Sequence, residues 1–171
     1  MDRHQLVLIL DFGSQFTQLI ARRVRENRVY CEVHPFDLPL DEIRARAPIG
    51  LVLSGGPQSV YDAGAPLAAR ELFELGVPVL GICYGMQAAA HLLGGKVEPG
   101  TARGREYGRA EVRVDRPGTL FAGLDERETV WMSHGDHVTA VPPGAVATAR
   151  SASVDLVGFE DPSRSLYCIQ F

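Results

Sequence analysis

The segment Gly81-Ile82-Cys83-Tyr84-Gly85 constrains the fold of this chain more than any other feature of its sequence. It directly follows the apolar residues 77–80, and it therefore predicts a strand that turns sharply into a helix with Cys83 at the apex. Glycine before and after the apex permits such a bend. Because a helix dipole and free N–H groups favour a thiolate, we predict a lowered pKa for the Cys83 thiol. The pattern indicates a nucleophile, whereas most cysteines are buried apolar residues.

Apolar runs alternate with amphipathic segments over the first half of the chain. This alternation indicates βαβ units, with a mostly parallel sheet and helices on both faces. Ser14 is predicted to cap the first helix, whose buried face would carry Phe16, Leu19, Ile20 and Val24. The predicted strands cover residues 6–10, 29–33, 49–53 and 77–82, and the later helices cover residues 41–47, 67–75 and 85–93.

The pattern changes after Gly95. In residues 107–115 the even positions are small or apolar and the odd ones mostly charged, which is typical of a half-exposed antiparallel strand. A chain of 171 residues suits one domain. The two patterns together predict an α/β fold with an antiparallel C-terminal strand extension. Further strands are predicted at residues 129–132, 145–149, 154–159 and 166–171.

Composition excludes several function classes. With 17 basic and 21 acidic residues the net charge is −4, which gives no basic face for nucleic acid. No apolar run is long enough to span a membrane and the first residues do not resemble a signal peptide, so we expect a cytoplasmic protein. Three cysteines without Cys-x-x-Cys spacing predict neither a disulfide framework nor a metal site, and Cys31 and Cys168 are expected in the core.

A thiolate that attacks a carbonyl needs N–H donors for the developing oxyanion, and a base. The N–H groups of Tyr84 and Gly56 are candidate donors, although the Gly-Gly-Pro segment at residues 55–57 is equally well interpreted as a tight turn. The residues alone suggest His134 as base, with Asp136 orienting it and Cys83 as nucleophile. Of the other four histidines, His4, His34 and His91 are expected to be structural or solvent-facing, and His137 is given no role.

Five motifs occur in a fixed order along the chain: Asp-Phe-Gly-Ser-Gln at 11–15, Leu-Ser-Gly-Gly-Pro at 53–57, Gly-Ile-Cys-Tyr-Gly-Met-Gln at 81–87, Arg-Glu-Tyr-Gly at 105–108 and Trp-Met-Ser-His-Gly-Asp at 131–136. Together they closely resemble the glutaminase domains of the glutamine-hydrolysing GMP synthetase family, which are class I glutamine amidotransferases with a flavodoxin-like fold. The elbow alone would indicate only a class I glutamine amidotransferase. The first and last motifs narrow the resemblance to the GMP synthetase family.

The resemblance implies a reaction and a set of roles. Cys83 attacks the side-chain amide of glutamine and forms a γ-glutamyl thioester, and the released ammonia serves the ATP-dependent amination of XMP to GMP. Gly56 and Tyr84 supply the oxyanion N–H groups. The loop that holds His134 binds substrate in this family, which removes His134 as base, and no cofactor or metal is implied for this domain. The residues implied to hold glutamine are Gln87, Ser133, Gly135 and Asp136.

The resemblance also implies more chain than is present here. In the family, the strand that matches residues 167–171 continues with His-Pro-Glu, whose histidine and glutamate complete the triad. Residues 1–171 are therefore expected to be an incomplete glutaminase domain, inactive alone. Its implied partner is an ATP-pyrophosphatase domain that uses ATP and Mg, followed by a dimerisation domain that makes a homodimer. Contact with that partner could use the arginines at positions 22, 23, 25 and 28, although a solvated helix face is the simpler interpretation.

Two other functions agree with the same elbow. One is a stand-alone cysteine hydrolase, and labelling of Cys83 by a glutamine analogue would argue against it. The other is a regulatory binding module without a triad, which a longer sequence containing His-Pro-Glu would exclude.

Overall fold

The structure, a computed structural model, describes residues 5–100 and 104–171. Most strands belong to one nine-stranded sheet, and helices pack on both of its faces. The strands are β1 (Leu6–Asp11), β2 (Tyr30–Pro35), β3 (Gly50–Leu53), β4 (Val79–Ile82), β5 (Lys96–Pro99), β6 (Glu106–Val114), β7 (Arg127–His134), β8 (Asp136–Ala140), β9 (Val146–Ser151), β10 (Gly158–Asp161) and β11 (Leu166–Ile169). The helices are α1 (Thr17–Glu26), α2 (Leu40–Arg46) and α3 (Tyr84–Leu92), with short 3₁₀ helices at Arg70–Glu74 and Pro162–Arg164.

The large sheet has the order β2-β1-β3-β4-β11-β10-β9-β6-β7. Its first five strands are parallel, and the strands from β10 onward pair antiparallel. Strands β5 and β8 form a separate antiparallel pair. The predicted α/β class, with a parallel sheet and an antiparallel extension, is confirmed.

Side chains of β1 show how the two faces are filled. Leu8 and Leu10 point into a core that includes residues of α2 and α3. Their neighbours Val7 and Ile9 point into a second core under α1. Since successive side chains of a strand alternate between faces, β1 is buried on both sides, as its continuous apolar sequence predicts.

The first helix differs from its prediction. α1 begins at Thr17, because the Ser14 hydroxyl accepts the N–H of Phe16 in a preceding turn instead of capping the helix. Thr17 and Ala21 are buried, whereas Phe16 and Leu19 are each 45% exposed. Ile20 and Val24 pack against the core beside β1 as predicted, so the predicted face is half confirmed. The Thr17 hydroxyl donates to the Asp11 carboxylate at 2.7 Å, which fixes the start of the helix against the end of β1.

The helix predicted at residues 67–75 is only the 3₁₀ helix Arg70–Glu74. The carbonyl of Pro66 accepts the Tyr84 hydroxyl at 3.0 Å, which joins this segment to the start of α3. Leu72 and Phe73 still reach the core, which explains the apolar pattern of the segment.

The antiparallel extension follows its prediction in β6, where charged side chains are exposed and Val112 and Val114 are buried. The predicted strand at residues 154–159 is limited to its end, because β10 begins at Gly158. Strands β5 and β8 are not predicted by the sequence pattern. Cys31 and Cys168 are buried as expected, and within residues 5–100 and 104–171 no helix has the length and apolarity to cross a membrane.

Candidate active site

Cys83 lies at the predicted turn, between the end of β4 and the start of α3. Its backbone has φ 52° and ψ −108°, which non-glycine residues seldom adopt and which costs about 1–3 kcal/mol. Two hydrogen bonds hold this conformation: Cys83 N–H donates to the Ile169 carbonyl at 2.8 Å, and the Gln87 N–H donates to the Cys83 carbonyl at 3.1 Å. A strained residue between strand and helix is typical of a nucleophile elbow.

Glycine is required on both sides of Cys83 because the backbone packs closely there, and not because the backbone needs a positive φ. Neither Gly81 nor Gly85 has a positive φ. A Cβ at Gly81 would lie 2.9 Å from the Gly85 carbonyl oxygen and 3.0 Å from the sulfur of Cys168. A Cβ at Gly85 would overlap the Leu53 carbonyl oxygen and lie 2.8 Å from its carbonyl carbon. The end of β3 therefore lies directly against the first turn of α3.

Two polar groups hydrogen-bond with the Cys83 sulfur among the described residues. Nε2 of Gln170 donates to it at 3.4 Å. The thiol in turn donates to the Ser133 carbonyl at 3.6 Å. The sulfur thus faces backbone and amide groups rather than an aliphatic core.

The predicted lowering of the thiol pKa is wrong for this structure. Burial is the largest influence and raises the pKa of Cys83, while the Tyr84 N–H and the Gln170 amide lower it only in part. Within residues 5–100 and 104–171, no charged side chain adds to these influences. The resting nucleophile is therefore a thiol, and it needs a base to ionise near neutral pH.

The glycine turn that follows β3 packs beside the nucleophile. A Cβ on Gly55 would lie 3.5 Å from both Cβ of Cys83 and Oγ of Ser14. Gly56 is pressed against the Phe12 backbone, where a side chain would collide with the Phe12 carbonyl. No acceptor among the described residues takes the Gly56 N–H. The turn is therefore close enough to Cys83 to take part in its chemistry.

The structure excludes His134 as the base of Cys83. Its side chain is fully buried in β7, with Nδ1 3.0 Å from the Asp136 carbonyl oxygen and Nε2 3.0 Å from the Glu106 carboxylate. Both ring nitrogens are occupied, and neither contacts the sulfur. Asp136 meets the ring through its backbone and not its carboxylate, so the arrangement Cys83–His134–Asp136 suggested by the residues is wrong.

Three further histidines, His34, His91 and His137, lie among the described residues. His137, on β8, has a buried Nδ1 without a hydrogen-bond partner among the described residues. His34 Nε2 is 2.9 Å from the Glu32 carboxylate. His91 packs edge-on against the Tyr61 ring, with ring centres 5.2 Å apart. His4 lies outside the described residues. Within the described part of the chain, no histidine hydrogen-bonds to the nucleophile.

The residues implied to hold glutamine lie together beside Cys83. The Ser133 carbonyl contacts the sulfur, and Nε2 of the buried Gln87 donates to the Asp136 carbonyl at 2.8 Å. The Gly135 carbonyl accepts the Gly100 N–H at 2.7 Å, which anchors the loop. Oδ2 of Asp136 is buried and has no hydrogen-bond partner among the described residues. It is a free acceptor within this cluster.

Sequence reasoning gave no role to Gln170 and Glu106. Gln170 is fully buried and hydrogen-bonds to both Gln87 and Cys83. Its signal in the sequence is a polar residue at the end of an apolar strand, where parallel strands place their carboxyl ends in one crevice. No group of His, Cys, Asp and Glu in residues 5–100 and 104–171 is arranged to hold a metal ion.

Glu106 anchors the loop that contacts the sulfur. One of its carboxylate oxygens accepts the hydroxyls of Ser151 and Ser153, each at 2.6 Å, and the other bonds to His134. Burial opposes ionisation and is the largest influence on its pKa, but these hydrogen bonds together lower the pKa of Glu106 below its ordinary value of 4.5. The ionised carboxylate therefore joins β6, β7 and the end of β9.

We expect Glu106→Gln to lower the free energy of unfolding at pH 7 by about 1–3 kcal/mol, because a carboxylate accepting hydrogen bonds is replaced by a neutral amide. The contribution of the native carboxylate is present above pH 4.5 and is lost as the pH falls through its lower folded-state pKa. The stability gap between parent and variant should therefore shrink from pH 5 to pH 3. Urea unfolding across this range measures it.

Glu111→Gln is the matched control on the same strand. Glu111 pairs with Arg127 at 2.8 Å, but both side chains are at least 60% exposed, so the change should cost less than about 1 kcal/mol. Equal losses in the two variants would show that the Glu106 network does not stabilise the fold.

Comparison with known proteins agrees with this geometry. The sequence matches the family Glutamine amidotransferase class-I over residues 8–171. It is 57% identical over 166 residues to the GMP synthase (glutamine-hydrolyzing) of Parafrankia sp. strain EAN1pec, covering 96% of this chain and 30% of that protein. It is 53% identical to the same-named protein of Aromatoleum aromaticum, covering 98% and 33%. The chain thus spans about a third of these relatives.

Solved structures show the same architecture. A putative GMP synthase subunit from Thermoplasma acidophilum superposes with a TM-score of 0.89 at 29% identity, covering all of this chain and 85% of the other. A glutamine amidotransferase from Thermotoga maritima has a TM-score of 0.76 at 24% identity, covering 98% and 75%, which supports the fold alone. With its cysteine elbow and its match over residues 8–171, the chain belongs to the class I glutamine amidotransferase family.

Proposed function

We propose that this chain is the glutaminase part of a longer GMP synthase, which hydrolyses glutamine to supply ammonia for the ATP-dependent amination of XMP to GMP. One observation supports this most: the Cys83 sulfur lies at a strained elbow beside the turn that contains Gly56. Two relatives that bear this name are 57% and 53% identical to the chain but about three times as long.

In the proposed reaction the Cys83 sulfur attacks the side-chain carbonyl carbon of glutamine. The thiol proton passes through a base to the leaving nitrogen, so ammonia departs and a γ-glutamyl thioester forms. Water then attacks the thioester, its hydroxyl group joins the acyl carbon, glutamate leaves, and the other proton of the water passes to the sulfur. We assign the N–H groups of Tyr84 and Gly56 as the donors to the oxygen on which negative charge develops in both steps.

Substrate binding is assigned to Gln87, Ser133, Gly135 and Asp136. The buried and unpartnered Oδ2 of Asp136 suits the α-ammonium group of glutamine, because a buried carboxylate oxygen requires a donor. We assign ATP and Mg to a separate ATP-pyrophosphatase domain, which would receive the ammonia in a homodimeric enzyme.

An electrophilic glutamine analogue tests the proposal. A diazoketone or chloroketone with the glutamine backbone should alkylate Cys83 at pH 8.5 at least about tenfold faster than the same reagent without its α-amino group, because the ammonium directs it to the site. Mass spectrometry of the Cys83 peptide measures both rates.

Cys83→Ser should abolish labelling, and excess glutamine should slow it in the parent. If iodoacetamide modifies Cys83 but the two analogues react equally fast, the site does not recognise glutamine and a stand-alone hydrolase is favoured.

A further inference from the structure

We infer that Gln170 is a catalytic residue of this site: its side-chain amide donates a hydrogen bond to the Cys83 sulfur, and Gln87 and the Asp136 carbonyl fix its orientation. The effect of Gln170 on glutamine hydrolysis rests on the proposed function. The hydrogen bonds of Gln170 do not depend on that function, because they follow from the geometry of the site.

The first step is the orientation of Gln87. A carboxamide has a donor end and an acceptor end, and its partners decide which end points where. Nε2 of Gln87 lies 2.8 Å from the Asp136 carbonyl oxygen, which can only accept. The NH₂ group must therefore face Asp136, and its second hydrogen points to Oε1 of Gln170 at 3.3 Å.

The second step transfers this orientation to Gln170. Because its oxygen accepts from Gln87, its NH₂ group faces the Cys83 sulfur, 3.4 Å away. Gln170 is fully buried, and its backbone N–H donates to the Val157 carbonyl at 2.9 Å, so the residue has little freedom to turn away. A chain of hydrogen bonds thus runs from the Asp136 carbonyl to the nucleophile.

The third step concerns the two protonation states of the sulfur. The Ser133 carbonyl accepts the S–H and favours the thiol. Gln170 donates to the sulfur and favours the thiolate, and the adjacent Tyr84 N–H also lowers the pKa of the Cys83 thiol. Among the described residues, no charged side chain contributes to this pKa. A neutral donor such as Gln170 therefore has a large share in stabilising the thiolate.

The pH dependence of alkylation by iodoacetamide tests this role directly. Gln170→Leu keeps the volume but removes the donor, and it should slow alkylation of Cys83 at pH 7.5 roughly tenfold, corresponding to a rise of about one pKa unit. Gln170→Glu replaces the donor with a negative charge and should slow it further. Mass spectrometry assigns the reaction to Cys83, since the other two cysteines are buried.

Controls separate this role from a structural one. Gln18→Leu changes an exposed glutamine on α1 and should leave the alkylation profile unchanged. Gln87→Leu should give an intermediate effect, because it removes only the group that orients Gln170. If Gln170→Leu is folded by circular dichroism and its profile coincides with that of the parent within twofold, the inference is wrong.

A measurement on the parent protein covers the case in which the Gln170 variants do not fold. The side-chain amide protons of Gln170, observed by NMR, should shift as Cys83 titrates and again when it is alkylated. An amide signal that is indifferent to both would overturn the inference. Neither readout involves glutamine, so a failure of the proposed function would appear separately, in the labelling by glutamine analogues.

Discussion

Gly85→Ala is expected to lower the free energy of unfolding by about 3 kcal/mol and to displace Cys83 from its site. The added methyl group would overlap the carbonyl of Leu53 and lie 2.8 Å from its Cβ. Since both collisions involve β3 near its backbone, relief requires a shift of β3 against α3, and overpacking of this kind is costly. Urea unfolding at pH 7 gives the loss, and the alkylation rate of Cys83 reports the displacement.

Gly50→Ala is the matched control, because Gly50 lies at the other end of β3. A Cβ there would meet only the Pro78 carbonyl, at an ordinary 3.6 Å. We expect a change within about 0.5 kcal/mol, since alanine in a strand loses less chain entropy than glycine. If Gly85→Ala is as stable as Gly50→Ala, the contact between β3 and α3 is not as close as described.

Ammonia release is the second large effect. We expect purified residues 1–171 to hydrolyse glutamine on the order of 10⁴-fold or more slowly than the same chain extended through the family's His-Pro-Glu segment. The reason is local: burial raises the pKa of Cys83, and within the described residues no histidine contacts its sulfur. A coupled glutamate assay measures both proteins.

Two variants identify which residues are responsible for any ammonia release. In the extended chain, Cys83→Ala should reduce the rate to that of residues 1–171, because members of a triad act as a unit. His134→Leu in residues 1–171 tests the opposite possibility. Appreciable ammonia release that disappears in this variant would contradict the structural exclusion of His134 as base.

The sequence predicts the part of the fold that repeats a simple pattern. Continuous apolar runs locate β1 to β4 within two residues at each end, because strands buried on both faces tolerate few polar side chains. The elbow is predicted equally well, since each of its glycines lies so close to neighbouring backbone that a side chain there would collide. The positions of these strands and of the elbow are thus predictable because the local apolar pattern agrees with the burial of each segment.

What the sequence does not predict depends on contacts that a periodic apolar pattern does not encode. Thr17 is buried at the start of α1 and donates to Asp11, whereas the apolar Phe16 and Leu19 are left exposed. The apolar segment before β4 forms a 3₁₀ helix and not the predicted α-helix, and the pair of strands β5 and β8 has no signal in the apolar pattern. Spacing therefore predicts most of the long elements, but it does not predict which side chains meet.

The candidate site shows the same division. The prediction of Cys83 as nucleophile follows from its neighbours in sequence, whereas its raised pKa follows from its burial in the folded chain. His134 is next to Ser133 in sequence, yet its ring lies with Glu106 while the Ser133 carbonyl reaches the sulfur. Alternation along a strand separates the two residues, and the motif alone does not reveal which one faces the nucleophile.

The position of β11 has a consequence for how this protein is made. This strand enters between β4 and β10, pairing residues 166–169 with residues 79–82, which leave the ribosome much earlier. The edge of β4 therefore stays unpaired while the antiparallel half of the chain is synthesised. Pairing of strands so far apart in sequence gives a high contact order, and such topologies fold slowly. Because the Ile169 carbonyl holds the Cys83 amide, the nucleophile gains its geometry only at this last joining step.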